Sequence, residues 1–149
     1  MDDFYAARTD NIPALPWPNI APPFISATVA VKKFIEGTGL TIAKTFSGMP
    51  DHIGAEFEFM QVLARKEAEA WSQGDEELGS NILKIEKRFF DEHLSQWVSS
   101  FCDKIFAASA HPFYHQFAIV TQEFMKFEAT ALAELIERSK QNDKLSACG

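Results

Sequence analysis

Asp51 and His52 stand side by side in the run Pro50-Asp51-His52-Ile53-Gly54-Ala55-Glu56-Phe57-Glu58-Phe59-Met60. An acid next to an imidazole can serve three kinds of chemistry. The pair is two thirds of a hydrolytic triad, but no serine lies in a Gly-x-Ser-x-Gly elbow to complete it. It can hold a metal, but the four histidines His52, His93, His111 and His115 form no His-Glu-x-x-His or Glu-x-x-His pair. His111 and His115 do have the i, i+4 spacing of helical ligands, yet Pro112 puts His111 at a helix cap and no cysteine cluster supports a site. The third chemistry is recognition: a neutral imidazole offers a donor and the neighbouring acid an acceptor, which suits a bound peptide. Structure alone can also account for Asp51, because an aspartate at a helix start accepts free backbone N–H groups and complements the dipole. Both readings of Asp51 stay open. His52 has the weaker structural excuse, since a positive ring is disfavoured at that end.

Helices must position these residues. Residues 1–23 carry five of the seven prolines, so 12–23 is an extended arm on which Leu15, Trp17 and Ile20 can pack. Trp17 in that setting belongs at a surface or interface. A helix is expected over about Phe24 to Glu36, stopped by Gly37 and Gly39, then a connector over Leu40 to Ser47. The next helix starts near Pro50 or Asp51 and runs to about Gln73, with Ile53, Phe57, Met60, Ala64, Ala68 and Trp71 as its buried stripe. A third follows Gly74 and reaches about His93. Ser95 caps a fourth, which carries Trp97 and Phe101 and ends near Ala110. Pro112 opens a fifth, with Phe113, Phe117, Val120, Phe124, Phe127, Ala131 and Leu135 along one face, to about Ser139. The tail 140–149 is polar and frayed. No alternating strand pattern appears, so the fold class is all-α: one helical-bundle domain of about five helices over residues 1–149.

Composition excludes much else. With 149 residues and 46% hydrophobic side chains, 14 of them Phe, the chain can bury a core and is not disordered. The phenylalanines need a core, an interface or a groove. A net charge of −7 repels phosphate backbones, so no nucleic-acid partner is expected. Gly37-Thr38-Gly39 lacks the third glycine of a dinucleotide fingerprint and no phosphate loop occurs, so no cofactor is expected. Two cysteines, Cys102 and Cys148, form no CxxC pair and fit a reducing compartment. The acidic start Met1-Asp2-Asp3 opens no secretory signal and no apolar run spans a bilayer; the expectation is a cytoplasmic protein without stable membrane insertion.

Three segments in fixed order, Pro50-Asp51-His52-Ile53-Gly54, His93-Leu94-Ser95-Gln96-Trp97 and His111-Pro112-Phe113-Tyr114, together resemble the TorD/DmsD/NarJ family of molybdoenzyme maturation chaperones. The resemblance runs from about Ile12 to Phe127. It implies a TorD-like fold without enzymatic activity. It further implies that the protein binds the twin-arginine signal peptide or the apo form of a molybdopterin oxidoreductase. Pro50, Asp51 and His52 look like the family's acid–histidine hinge motif, and Leu15-Pro16-Trp17 like a segment lying near it. The implied peptide site is therefore Asp51, His52, Trp17, Pro50 and Glu56, with acids such as Glu58 available to the peptide's arginines. His93 to Trp97 and His111 to Tyr114 match segments that read as architecture. Family members carry a further N-terminal helical half, so an apolar face is expected to stay uncovered and a homodimer, swapped or not, to cover it. The alternative is a helical-bundle enzyme or cofactor-binding protein using the Asp51/His52 corner.

Overall fold

The computed structural model describes residues 22–40 and 48–147. Most of the proline arm with Trp17, the connector after Leu40 and Cys148 lie outside the described residues. The described residues hold no strand and five α-helices: α1 (Pro22–Gly37), α2 (Ile53–Ser72), α3 (Glu76–Phe89), α4 (Ser95–Ala108) and α5 (Pro112–Ala147), with a π-helical turn, Phe90–Leu94, between α3 and α4. The chain divides into two compact units, Met1–Phe59 and Met60–Gly149, and α2 runs through the division.

In the first unit, α1 buries Val31 and Ile35, and the start of α2 buries Ala55 and Phe59. Phe34 meets the Phe59 ring edge-on, with centroids 6.3 Å apart. Helix α1 begins at Pro22, two residues before the expected start, because proline in a first turn forfeits no hydrogen bond.

In the second unit α2 ends in a Schellman turn. Gly74 takes φ +74°; its N–H bonds the Trp71 carbonyl, and the Asp75 N–H bonds the Ala70 carbonyl. Asp75 then caps α3 by accepting from the Leu78 N–H at 3.0 Å. Of the expected buried stripe, Ala64 and Ala68 are exposed and Trp71 is 38% exposed, while Leu63 and Ala70 are buried. The Trp71 indole lies flat over the α3 backbone at Gly79, where an added Cβ would stand 2.7 Å from Cε2.

The break expected at Ser95 is absent. Residues 76–108 run on helically, and Leu94 keeps right-handed helical angles. The turn widens instead: the Ser95 N–H reaches back five residues to the Phe90 carbonyl, while Ser95 Oγ and Gln96 Nε2 both donate to the Asp91 carbonyl at 2.9 and 2.8 Å. The reason lies in the apolar spacing. Phe90, Leu94, Val98 and Cys102 are all buried and recur every fourth residue. On a regular helix such a row drifts about 40° per step, and a π turn absorbs part of that drift.

Helix α5 packs along both α3 and α4. It runs antiparallel to them: Ser139 meets Ser80 hydroxyl to hydroxyl at 2.8 Å in the buried interior, Gln122 donates to Asp103 at 2.9 Å, and His115 stacks on Phe106. Helix α5 continues to Ala147, so the tail expected to fray is helical through that residue. Its bundle-facing residues are Ala118, Thr121, Leu132 and Ser139. The phenylalanine row read from the sequence faces solvent instead, with Phe113, Val120 and Phe127 about two-thirds exposed.

The Gly79 contact yields a test. Alanine is the better helix former by about 0.8–1 kcal/mol, yet Gly79→Ala drives a methyl into the Trp71 ring and should cost about 1–2 kcal/mol net. Thermal melts followed by circular dichroism should show a lower Tm for Gly79→Ala in the native background and no loss when Trp71→Ala is also present. A Tm gain with Trp71 in place would contradict the packing.

Candidate functional site

The Asp51-His52 corner forms where the chain turns into α2. The turn is closed by the His52 N–H bonding the Met49 carbonyl, with the half-buried Pro50 inside it. His52, not Asp51, caps the helix. Its carbonyl accepts from the Glu56 N–H, and its ring Nδ1 accepts from the Gly54 N–H at 3.1 Å. Gly54 makes room for this: a Cβ there would lie 3.3 Å from Nδ1. A ring nitrogen that accepts is unprotonated, so the proton sits on Nε2 and the exposed ring keeps a donor. Asp51 is half-buried and turned away from the helix end. Its Oδ1 accepts from Thr28 Oγ1 of α1 at 2.9 Å, which ties the α2 entry to α1. The cap, one of the two readings left open for Asp51, is thus made by His52, the residue with the weaker structural excuse in the sequence.

The other expected site residues fare differently. Pro50, Asp51 and His52 are brought together. Glu56, one turn into α2, is 1% exposed and does not present its carboxylate at the surface. Glu58 is half-buried. Trp17 lies outside the described residues.

His111 repeats the His52 device. Its Nδ1 accepts from the Phe113 N–H at 3.2 Å, with Pro112 as the first residue of α5. His115 points back to the Ser109 carbonyl, so the i, i+4 pair is spent on the helix start. His93 packs on Phe89 at 4.9 Å, and burial lowers its pKa. Trp97 sets its ring edge against Phe101 at 5.5 Å and is half-buried. Among the described residues no group of three or more His, Cys, Asp or Glu side chains is placed to hold a metal ion.

A second polar feature escaped the sequence. Glu86 of α3 is 2% exposed, and its Oε1 has no hydrogen-bond partner. Burial, with the Glu67 and Glu128 carboxylates beside it, pushes its carboxyl up to about 8. Glu128 on α5 is raised as well, by burial and then by Glu67. Glu67 in turn accepts from the Trp71 indole N–H at 2.7 Å. Glu86 is therefore a neutral acid in the folded protein at pH 7. A glutamate at a core position of the α3 pattern, beside Ile82, Leu83 and Phe89, was the available signal.

The sequence model of the nitrate reductase delta subunit matches residues 24–103, more than half of the chain. No curated relative and no solved structure matches it. The matched stretch contains both the Asp51-His52 corner and the π turn.

The buried acid makes stability depend on pH with a definite sign. Between pH 4.5 and about 8 the unfolded chain has released the Glu86 proton while the folded protein keeps it. Stability is therefore highest below pH 4.5 on this account and falls as pH rises to about 8, by up to ~1.4 kcal/mol per pH unit. Urea unfolding at pH 5, 6.5 and 8 should show Glu86→Gln losing most of that slope and exceeding the native protein at pH 8. Parallel pH profiles for the two proteins would contradict the assignment.

Proposed function

The chain belongs to the nitrate reductase delta subunit family, and from that membership we propose that it is a non-enzymatic chaperone for a molybdoenzyme. It binds the twin-arginine signal peptide, the apo form, or both, before export or membrane assembly, and it acts in the cytoplasm. The carrying observation is the family match across residues 24–103. The family is one of molybdoenzyme maturation chaperones, which fits a chain whose described helices are none of them long and apolar enough to cross a membrane.

The corner supplies the chemistry that the reading needs. His52 offers an Nε2 donor at the surface while its Nδ1 is occupied by the helix. Asp51 is held by Thr28 through Oδ1 only, so Oδ2 is left for a guanidinium of the peptide. Pro50 stiffens the turn between them. Trp17 of the proline arm is proposed as an aromatic wall beside this corner. Glu56, being buried, offers the peptide no direct contact.

The test must separate recognition from capping. Asparagine is a good N-cap, so His52→Asn keeps the helix start and removes the imidazole donor. Calorimetric titration with a twin-arginine leader peptide should show Asp51→Ala and His52→Asn each weakening binding at least roughly tenfold, the scale of one charged hydrogen bond. Helical content should stay unchanged. Native affinity in both variants would refute the site.

A further inference from the structure

The solvent-facing row of α5 has the spacing of a helix-pairing seam. Phe113, Phe117, Val120, Phe124, Phe127 and Ala131 follow one another at steps of four, three, four, three and four residues. That is the a/d pattern of a coiled coil held for more than two heptads. The row lies about a quarter turn round the helix from the buried row of Ala118, Thr121 and Leu132, so it is a second face, distinct from the bundle contact. Exposures are 64% for Phe113, 43% for Phe117, 66% for Val120, 44% for Phe124 and 67% for Phe127. No charged residue interrupts the row.

We infer that this face pairs with the same face of a second copy of the chain, antiparallel. The first argument is self-complementarity. In antiparallel pairing each a position meets a d position of the partner helix. The register that centres the row on itself sets Phe113 against Ala131 of the other copy, Phe117 against Phe127 and Val120 against Phe124, each layer occurring twice. Large side chains then meet small ones at both ends and across the middle, which is what a closed two-fold interface requires. The second argument is size. Phenylalanine presents about 150–250 Å², so these exposures leave on the order of 500 Å² of apolar surface on one copy. Two copies bury about 1,000 Å² of apolar surface. A standard interface buries about 1,600 Å² in all, of which about 65% is apolar in homodimers. The row is of the right size for a second copy. At the two-fold axis Glu123 approaches its own counterpart, and Lys126, 2.7 Å from Glu123, offsets the like charges.

Sedimentation of the full chain across micromolar concentrations should show a dimer. Val120→Glu and Phe127→Glu each replace a side chain that is two-thirds exposed, so the fold should keep its helical content. Each should weaken self-association at least roughly tenfold. Register is read by crosslinking. Phe113 and Ala131 are 18 residues and about 27 Å apart on one helix, so they cannot bridge within a chain. In a background of Cys102→Ala and Cys148→Ala, the paired substitutions Phe113→Cys and Ala131→Cys should oxidise to a covalent dimer, whereas Phe113→Cys alone should not. A monomer at all concentrations overturns the inference. So does a dimer untouched by both glutamate variants, or a crosslink formed by Phe113→Cys alone, which would mean parallel pairing. None of these outcomes bears on peptide binding at Asp51 and His52.

Discussion

The four-residue recurrence of Phe90, Leu94, Val98 and Cys102 is the constraint on which the second unit depends. All four are buried, and on a straight α-helix such a row winds by about 120° over its three steps. The chain resolves the conflict by widening a single turn, and the Ser95 and Gln96 side chains cover the Asp91 carbonyl there. Because the helix does not break, residues 76–108 form one continuous support along which α5 can lie. Contacts at both ends, Ser80 with Ser139 and Gln122 with Asp103, fix the antiparallel direction. An open groove of about 320 Å³ between the widened turn and α5, lined by Phe90, Ser99, Gln122 and Met125, is a by-product of that geometry.

Polar groups are treated in opposite ways in the two units. At the α2 entry they are satisfied and partly exposed: Thr28 holds Asp51, and His52 holds the helix end. That leaves a fixed acid and a fixed donor next to each other, the arrangement a charged peptide can use without first ordering the site. In the second unit Glu86 is enclosed among apolar neighbours with two further carboxylates nearby. A lone ionised carboxylate there would be costly, so the group keeps its proton. Burial without a hydrogen bond to Oε1 weakens the native state rather than supporting it.

The helical class and most helix boundaries were legible because they follow local chemistry: glycine stops, the Asp75 cap and proline at a first turn. The corner was legible as a cluster of residue types, and its internal roles were not. Aspartate outranks histidine as a cap on propensity, but Thr28, 23 residues away, claims Asp51, and no local pattern reveals that. The π turn was missed because Ser95 resembles a cap when the four-residue spacing before and after it is not followed through. The α5 row was read as core because apolar periodicity identifies a face without saying what covers it. Ala118, Thr121 and Ser139, the residues that do face the bundle, are small or polar and give little hydropathy signal.

The central claim is that this chain attends an unfinished molybdoenzyme, and the most direct measurement identifies what it holds. The tagged full chain is captured from its source cells grown anaerobically, and the copurifying proteins are identified by mass spectrometry and assayed for molybdenum. The account predicts enrichment of the catalytic subunit of a molybdopterin oxidoreductase, depleted in metal relative to the mature enzyme. It also predicts loss of that enrichment when the bait carries Asp51→Ala. Absence of any molybdoenzyme subunit from the captured material, or capture only of the metal-loaded enzyme, would contradict it.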